Sequence, residues 1–325
     1  MLYSKIISTG SYLPKKILTN DDLSKIVDTN DEWITQRTGI KTRHIAGENE
    51  FASDMGVQAC FDALKNANLT VNDIDLLIVA TSTSDTNYPS CACRMQEKLK
   101  MFHGAPAFDV QAVCSGFLYA LDVADSMIKT GRFKRAIVVG SDKNSSIVDW
   151  TDRNTCVLFG DGAGAVILEK VETSQLSNDI SFSHIIDSQI FASGEFADLL
   201  VTKKKEETQK QVIEMNGREV FRHATTKMSE SIKNILDKNK IKPEDVTLFI
   251  PHQANYRILI KVAENLGIDA DKFIMTLDKQ GNTSSATIPL ALDFAVKTNK
   301  IKRGDILVFT SLGSGLTWGA SVVVF

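Results

Sequence analysis

Short apolar runs alternate with segments of helical periodicity along the chain. Residues 94–101 (RMQEKLKM) predict a helix, and from Ser115 onwards the apolar residues recur at the spacing of a second one. Each predicted strand is a short, mostly apolar run next to polar or glycine-rich residues: 73–84 (DIDLLIVATSTS), 107–113 (AFDVQAV), 135–142 (RAIVVGSD) and 162–170 (GAGAVILEK). This alternation predicts an α/β protein with largely buried sheets.

The chain also contains an internal repeat. Residues 59–81 resemble residues 231–252 at an offset of 172, and both copies indicate a helix, a short acidic connector and a buried strand. Residues 129–139 (KTGRFKRAIVV) resemble residues 297–309 (KTNKIKRGDILVF) at an offset of 168. Because the order of elements is kept, the sequence predicts two copies of one α/β unit around a pseudo-twofold axis.

The repeat places the predicted halves at residues 1–171 and 172–325. The charged run 203–210 (KKKEETQK) is predicted to be a solvated loop between them. Two glycine-rich stretches, 159–169 and 312–325, each lead into a strand rather than opening a helix, so a dinucleotide-binding motif is rejected. Both are interpreted instead as tight turns between paired strands.

Composition narrows the class of protein. The chain has 325 residues, 43% apolar and 24% charged, which is typical of a soluble globular protein. A net charge of −3 gives no general reason to expect nucleic-acid binding. No signal peptide pattern is present, and no apolar run approaches the roughly 20 residues of a membrane span. Five cysteines, an odd number, indicate free thiols and a cytoplasmic location.

The repeat brings three polar residues towards the middle of the molecule. Under the 168 offset, Cys114 corresponds to Asn282, and each follows a strand-like segment and precedes a helix. Under the 172 offset, His252 corresponds to Ala80 at the end of the first copy's strand. A twofold arrangement places matching strand ends near the axis, so Cys114, His252 and Asn282 are expected to converge.

These residue types fit acyl chemistry. A thiol before a helix N-terminus is expected to favour the thiolate, so Cys114 is the predicted nucleophile. His252 can move protons near neutral pH or donate a hydrogen bond, and Asn282 adds an uncharged donor. Two neutral donors beside a thiolate suit the stabilisation of an enolate or a thioester oxyanion.

The remaining cysteines and histidines are interpreted as structural. Four of the five cysteines are expected to be small buried hydrophobic residues. No metal site is predicted, because Cys91 and Cys93 lack a second cysteine pair or a nearby histidine. The other histidines show no partner spacing: His44, His103, His184 and His223.

Six motifs spread over the chain carry a family resemblance. AVCSGF, PHQANYRI, GNTSSATIP, GDGAGA, DEWITQRTGI and GSGLTWGA together resemble the β-ketoacyl-[acyl-carrier-protein] synthase III family of bacterial fatty-acid synthesis. The resemblance implies a thiolase-like fold with five α-β-α-β-α layers made of two duplicated halves. It also implies a homodimer, which uses neither a metal nor a redox cofactor and binds neither nucleic acid nor membrane.

The resemblance implies a decarboxylative condensation. Cys114 would take the acyl group from an acyl-CoA, with acetyl-CoA the expected primer. His252 and Asn282 would hold the thioester carbonyl of malonyl-acyl-carrier protein while it loses carbon dioxide, and the enolate would attack the acyl-cysteine. The oxyanion contacts would be the backbone N–H groups of Cys114 and Ser314. Because this position is commonly glycine in the family, the Ser314 side chain is expected to narrow the pocket.

The same resemblance assigns the binding residues. The CoA site would consist of Trp33 against the adenine, Arg37 near the phosphates, Arg153 on the other adenine face, Gly217, and Asn255 near the pantetheine arm. From its pattern alone, Trp33 is a half-buried packing residue.

The resemblance also assigns a role to two further pairs of residues. Tyr88 and Leu312 would shape the acyl pocket, with Tyr88 reaching across the dimer. Arg222 and Arg257 would meet the acidic carrier protein, although a plain solvated helix face explains them equally well.

Alternatives remain at this stage. Related CoA-dependent condensing enzymes of polyketide or quinolone type share the three reactive residues and differ mostly in pocket shape. A Cys-His-Asn hydrolase fits the order and the 138-residue spacing from Cys114 to His252, but the surrounding signature and the internal repeat do not favour it. A non-catalytic subunit on the same fold is disfavoured by the retention of all three groups.

Overall fold

The computed structural model describes residues 2–172, 182–206 and 208–325. Its strands are β1 Leu2–Tyr12, β2 Lys16–Thr19, β3 Thr42–Ile45, β4 Leu76–Ala80, β5 Ala107–Val110, β6 Arg135–Lys143, β7 Asp161–Glu172, β8 His184–Ala192, β9 Leu200–Lys204, β10 Gln211–Met215, β11 Leu248–Pro251, β12 Ile306–Gly313 and β13 Thr317–Val324. Its α-helices are α1 Asn20–Leu23, α2 Asp31–Thr38, α3 Ala52–Ala67, α4 Cys91–Leu99, α5 Gly116–Lys129, α6 Gly217–Asn239, α7 Tyr256–Leu266, α8 Leu277–Gln280 and α9 Thr287–Lys297.

Two large sheets repeat one topology. The first has the order β1-β7-β6-β4-β5, in which β4 is parallel to β5 and β6, while β7 is antiparallel to β6 and β1. The second has the order β11-β12-β13-β8 with the same directions and without a counterpart of β5. Two small two-stranded antiparallel sheets, β2-β3 and β9-β10, complete the sheets of the described residues. The predicted duplication of an α/β unit is confirmed.

The layers follow from which faces are apolar. Helices α3 and α4 pack on the outer face of the first sheet, and α6 and α7 on the outer face of the second. Helices α5 and α9 lie between the two sheets and contact both. Every residue of β4 is buried, as expected for a parallel strand covered on both faces. The five-layered thiolase-like architecture is therefore confirmed.

The two copies of the unit align at a different sequence offset from the predicted one. A 3-10 turn at Val113–Ser115 precedes α5 and a matching turn at Ser284–Ala286 precedes α9, which is an offset of 171. Helix α5 has 14 residues and α9 has 11, so the offset of 168 holds at the C-terminal ends of the two helices but not at their N-terminal ends. The predicted correspondence of Cys114 with Asn282 is wrong, because Cys114 corresponds to Ser285.

The first glycine-rich stretch is not a tight turn. Strand β6 ends at Lys143 and β7 begins at Asp161, so Gly162 and Gly164 lie at the start of β7 and Gly160 just before it. A Cβ atom on Gly164 would lie 2.7 Å from the backbone nitrogen of Leu290 in α9. Glycine there lets the middle helix approach the sheet. The second stretch does form a tight turn between β12 and β13, and both stretches lead into strands as predicted.

The charged run 203–210 lies within the second half of the chain rather than between the halves. It forms the end of β9 and the turn to β10, and Glu207 lies outside the described residues. The Lys203 ammonium is 3.1 Å from the Glu214 carboxylate across this hairpin. Exposure of the run was predicted correctly, but the hairpin was not.

Candidate active site

One cavity of about 850 Å³ brings together the predicted reactive residues. The buried residues Cys114, His252 and Asn282 line its inner part. Exposed arginines, Arg37 and Arg218 among them, line its rim. The cavity therefore runs from a positively charged opening to a thiol, an imidazole and an amide.

Cys114 is held by a strained turn and by contacts with the second half. Val113, just before it, has a φ of 47°, a left-handed conformation that is uncommon for a β-branched residue. The Cys114 carbonyl accepts a hydrogen bond from Ser311 Oγ at 2.8 Å, and its sulfur lies 3.8 Å from Ser284 Oγ. A Cβ atom on Gly313 would lie 2.9 Å from the Cys114 nitrogen, so only glycine fits beside this backbone.

The thiol of Cys114 is protonated in the free protein. Burial raises its pKa to about 12, while hydrogen bonds with Ser284 and Asn282 lower it and the Asp142 carboxylate raises it. The prediction of a resting thiolate is wrong, because loss of water around the sulfur outweighs the favourable position before α5. Ionisation must accompany the chemical step.

His252 follows β11 directly and is fixed on both sides. Its backbone N–H donates to the Thr310 carbonyl at 2.8 Å, which extends the pairing of β11 with β12. Its Nδ1 atom lies 2.7 Å from Thr287 Oγ1. Burial lowers the pKa of the imidazole to about 3, so the ring is neutral at physiological pH.

Asn282 is held by backbone pairing with the first half. Its N–H donates to the Leu158 carbonyl at 2.8 Å, and its carbonyl accepts from the Gly160 N–H at 3.0 Å. Its Oδ1 accepts the Ser284 N–H at 2.8 Å. This bond orients the amide, and the Asn282 side chain lowers the pKa of the Cys114 thiol against the effect of burial.

A buried carboxylate joins the two halves behind the site. One Asp142 oxygen accepts the backbone N–H of Ser285 at 3.0 Å and its hydroxyl at 2.6 Å. The other accepts the backbone N–H of Ser82 at 2.8 Å and three hydroxyls, those of Thr81, Ser82 and Thr83. Asp142 thus fixes the turn that carries Ser284 and Ser285.

Four of the five residues expected at the CoA site line the cavity: Trp33, Arg37, Gly217 and Asn255. Arg153 does not, but its guanidinium carbon lies 5.3 Å from the centre of the Trp33 ring, and that of Arg37 lies 4.6 Å away. Asn255 caps α7 by accepting the Arg257 N–H at 2.8 Å and donates to the Arg37 carbonyl at 3.1 Å.

The residues expected to shape the acyl pocket lie in different places. Leu312 is buried and lines the cavity, whereas the Tyr88 side chain is 87% exposed and lies outside it. The Ser314 hydroxyl donates to the Leu200 carbonyl, and Ser314 is not among the described residues that line the cavity. The expectation that its side chain narrows the pocket is wrong, because the hydroxyl turns towards β9.

The two arginines expected to dock the carrier protein differ in their position relative to the cavity. Arg257 lines the cavity rim and its guanidinium carbon lies 5.9 Å from the centre of the Phe221 ring. Arg222 lies outside the lining and pairs with Glu219 at 2.7 Å on the exposed face of α6.

Most of the histidine and cysteine assignments agree with the structure. His44, His103 and His184 each place a ring nitrogen within 2.8 Å of a backbone carbonyl oxygen. Cys93 is an exception among the cysteines, because it is exposed on α4. Within the described ranges, no cluster of three or more His, Cys, Asp or Glu side chains suits a metal ion. No helix in those ranges is long and apolar enough to cross a membrane.

Several residues of the site were not singled out from the sequence. Ser284 and Thr287 lie in the GNTSSATIP motif, but only the 3-10 turn shows that they face Cys114 and His252. Asp142 lies near the end of the apolar strand β6, and no local pattern showed that its carboxylate joins the two halves. Arg218 had no distinguishing pattern.

Comparison with known proteins agrees with this geometry. Residues 108–188 match the family described as 3-oxoacyl-[acyl-carrier-protein (ACP)] synthase III, and residues 236–325 match its C-terminal family. The chain is 50% identical over 317 residues to the β-ketoacyl-[acyl-carrier-protein] synthase III of Aquifex aeolicus, covering 98% of both chains. It is 47% identical over 321 residues to that of Rickettsia felis, again covering 98% of both.

A solved structure extends the similarity to three dimensions. The 3-oxoacyl-[acyl-carrier-protein] synthase III of Aquifex aeolicus VF5 matches with a TM-score of 0.91 and 49% identity, covering 99% of this chain and 100% of that one. The fold and the Cys-His-Asn wall of the cavity define a condensing enzyme of the thiolase-like class. Within this class, the chain belongs to the β-ketoacyl-[acyl-carrier-protein] synthase III family.

Proposed function

We propose that this enzyme condenses an acyl-CoA, with acetyl-CoA the expected primer, with malonyl-acyl-carrier protein to begin fatty-acid synthesis. One observation carries the proposal: Cys114, His252 and Asn282 line the inner part of a single cavity whose rim is cationic. A thiol beside two polar groups suits acyl transfer followed by enolate chemistry. The family and its full-length relatives support the same reaction.

The first half-reaction is transfer of the acyl group to the sulfur. The Cys114 sulfur attacks the thioester carbonyl, a new C–S bond forms, and the bond to the CoA sulfur breaks. The proton of the Cys114 thiol ends on the departing CoA. The backbone N–H groups of Cys114 and Ser314 are the proposed donors to the tetrahedral oxyanion.

The second half-reaction forms the carbon–carbon bond. His252 and Asn282 contact the thioester oxygen of malonyl-acyl-carrier protein while its carboxylate leaves as carbon dioxide. The electron pair released forms the enolate, which attacks the acyl-cysteine and frees the Cys114 sulfur. That sulfur takes up one proton, and the balance requires neither an external oxidant nor a reductant.

Substrate binding follows the lining of the cavity. The adenine of CoA would lie between the Trp33 ring and the Arg153 guanidinium, with Arg37 near the phosphates, because flat cations stack well on rings. The pantetheine arm would then pass Gly217 and Asn255 towards Cys114. Arg257 lies at the rim of the cavity and Arg222 on the exposed face of α6, and both would meet the acidic carrier protein.

We also propose a homodimer formed through the edge of the first sheet. Strand β5 lies at that edge, and its Asp109 accepts the backbone N–H groups of Cys91 and Ala92 just after the Tyr88 loop. The Tyr88 side chain is 87% exposed, and an aromatic residue so placed is expected to be covered. In the partner it would close the acyl pocket beside Leu312.

We also propose the division of the chain into two halves and a cytoplasmic location. The halves 1–171 and 172–325 agree with sheets built from residues 2–172 and 184–324, although β7 extends to Glu172. The cytoplasmic location is supported by five free cysteines.

Intact-protein mass after mixing with acetyl-CoA alone tests the first half-reaction. We expect a stable gain of one acetyl group, absent from Cys114→Ala. His252→Ala and Asn282→Ala should retain some acetylation while losing decarboxylation of malonyl-acyl-carrier protein. Free acetate without an adduct would contradict the proposal. If only longer or branched acyl-CoAs transferred their acyl group, one of these would be the primer instead of acetyl-CoA.

A further inference from the structure

The charged residues that line the cavity around Cys114 have one sign. Among the described lining residues they are three arginines, Arg37, Arg218 and Arg257, and no aspartate or glutamate is present. Within the described ranges of the chain, none of the three forms an ion pair with a carboxylate. Their positive charge is therefore available to an anion that enters the cavity.

Two arginines beside the cavity but outside its lining are paired. The Arg153 guanidinium lies 3.5 Å from the Asp28 carboxylate. Arg222 donates to one Glu219 carboxylate oxygen through Nε at 3.0 Å and through Nη2 at 2.7 Å. Because Arg222 engages Glu219 in this way, the acid that follows Arg218 in the chain leaves Arg218 unpaired.

Arg218 differs from the other two lining arginines in its surroundings. The guanidinium carbon of Arg37 lies 4.6 Å from the centre of the Trp33 ring, and that of Arg257 lies 5.9 Å from the centre of the Phe221 ring. In the part of the chain that the structure describes, the exposed Arg218 side chain contacts neither an aromatic ring nor a carboxylate. Its guanidinium is therefore available to bind a ligand.

Both proposed substrates would reach Cys114 through the same chemical arm. Acyl-CoA and malonyl-acyl-carrier protein each carry 4′-phosphopantetheine, which has the thioester sulfur at one end and a phosphate at the other. Because the thioester must come close to Cys114 in both half-reactions, the phosphate lies at nearly the same depth in the cavity for both substrates. The adenosine of CoA and the protein part of the carrier begin only beyond this phosphate. One cation at that depth can therefore bind either substrate.

We propose that Arg218 is a specificity-determining residue that binds the arm phosphate of both acyl-CoA and malonyl-acyl-carrier protein. Arg218 follows Gly217, the residue expected beside the pantetheine, and lines the rim of the same cavity, so we place it at the outer end of the arm. Arginine suits this role because its planar guanidinium can bind two phosphate oxygens at once. The inference rests on the proposed function, which it deepens. Trp33 and Arg153 would select the adenosine of one substrate, whereas Arg218 would select the group that both substrates share.

Two acetyl donors that differ only in this phosphate test the inference. S-acetyl-4′-phosphopantetheine and S-acetylpantetheine both lack adenosine, and intact-protein mass at several donor concentrations gives the second-order rate constant for acetylation of the full-length enzyme. In the unaltered enzyme we expect the phosphate to raise this rate constant about 10-fold, as for one hydrogen bond to a charged group. In Arg218→Ala this advantage should fall to about 2-fold, because only the weaker attraction of the more distant arginines remains. The rate constant for S-acetylpantetheine should stay unchanged.

Matched variants and the second substrate complete the test. Arg218→Lys keeps the charge without the planar group, so it should recover part of the phosphate advantage. Lys233→Ala removes an exposed cation of α6 that lies outside the cavity lining, and it should leave the rate constants of both donors unchanged. For the reaction of acetyl-enzyme with malonyl-acyl-carrier protein, kcat/KM should fall about 5-fold in Arg218→Ala, the same factor as for the phosphorylated donor.

The outcomes separate this inference from the proposed function. No phosphate advantage in the unaltered enzyme, or an undiminished one in Arg218→Ala, would overturn the inference, and so would its loss in Arg37→Ala or Arg257→Ala instead. Equal losses for the two donors would show that Arg218 acts on another part of the substrate. A defect with the phosphorylated donor but not with malonyl-acyl-carrier protein would refute a shared site. Absence of an acyl adduct from either donor and from acetyl-CoA on the unaltered enzyme would instead reject the proposed function.

Discussion

The sulfur of Cys114 lies 3.8 Å from the hydroxyl oxygen of Ser284, a residue 170 positions later in the chain and in the opposite half. The turn that holds Ser284 has a φ of 54° at that residue, which mirrors the φ of 47° at Val113. Each half thus contributes one strained turn, and the two turns meet at the nucleophile. The contact lowers the pKa of the thiol against the effect of burial.

Removing this hydroxyl should slow acyl transfer. In Ser284→Ala the developing thiolate loses one donor, and a hydrogen bond worth about 0.5–1.5 kcal/mol corresponds to a rate roughly 2- to 10-fold lower. Single-turnover acetylation followed by intact mass measures it. Ser284→Gly is the matched control, because it removes the hydroxyl and relieves the left-handed backbone. Equal losses in the two variants would assign the effect to the hydroxyl, and an unchanged rate in Ser284→Ala would contradict the prediction.

Asp142 should be important for stability. In Asp142→Asn the amide group is a donor where the native oxygen accepts from Ser285 or from the Ser82 loop. We expect the free energy of unfolding to fall by about 2–3 kcal/mol in urea titrations. Asp21→Asn, on the exposed surface of α1, should change it by less than about 0.5 kcal/mol. Equal effects would mean that the carboxylate does not hold the two halves together.

The close approach of α9 to the first sheet predicts a steric effect. An alanine at Gly164 would place its Cβ 2.7 Å from the Leu290 nitrogen, so Gly164→Ala should destabilise the fold by about 1–3 kcal/mol. At Gly194 a Cβ would meet nothing within 4 Å, which makes Gly194→Ala the control. Thermal unfolding of the two variants should separate them clearly. A native midpoint for Gly164→Ala would show that the contact relaxes without cost.

The buried imidazole predicts a dependence of stability on pH. The pKa of His252 is about 3 in the folded chain and 6.5 in its ordinary range, so the unfolded chain binds the extra proton first. The contribution of the neutral His252 ring to the stability of the fold is present above pH 6.5 and is lost as the pH falls towards 3. The unfolding free energy should drop by about 1 kcal/mol per pH unit in this window.

A variant isolates this effect from other titrating groups. His252→Gln removes the ionisable ring, so its unfolding free energy should depend less steeply on pH between 6.5 and 4. Urea titrations at matched pH values give the two slopes. Parallel slopes would show that the ring is protonated in the folded chain.

Much of the fold and site could be predicted from the sequence, for identifiable reasons. Buried strands such as β4 are local apolar runs, and the PHQAN and AVCSGF motifs placed His252 and Cys114 at element ends. What failed depended on tertiary surroundings. The pKa of Cys114 follows from its burial, and its equivalence with Ser285 follows from a helix three residues shorter in one copy.

The contributions of Ser284 and Asp142 were equally inaccessible. Serine in a polar motif has many ordinary uses, and its contact with Cys114 arises only when the two halves pack. Asp142 accepts from residues on both sides of the interface, which no local pattern encodes.

The decisive measurement is a single turnover with preformed acetyl-enzyme. The acetylated protein is separated from free CoA and mixed with malonyl-acyl-carrier protein, and the masses of the carrier and of the enzyme are recorded together. We expect acetoacetyl-carrier protein, one carbon dioxide per enzyme and Cys114 returned to the free thiol. Loss of the acetyl group as acetate, with the malonyl-carrier protein unchanged, would show a hydrolase and contradict condensation at Cys114.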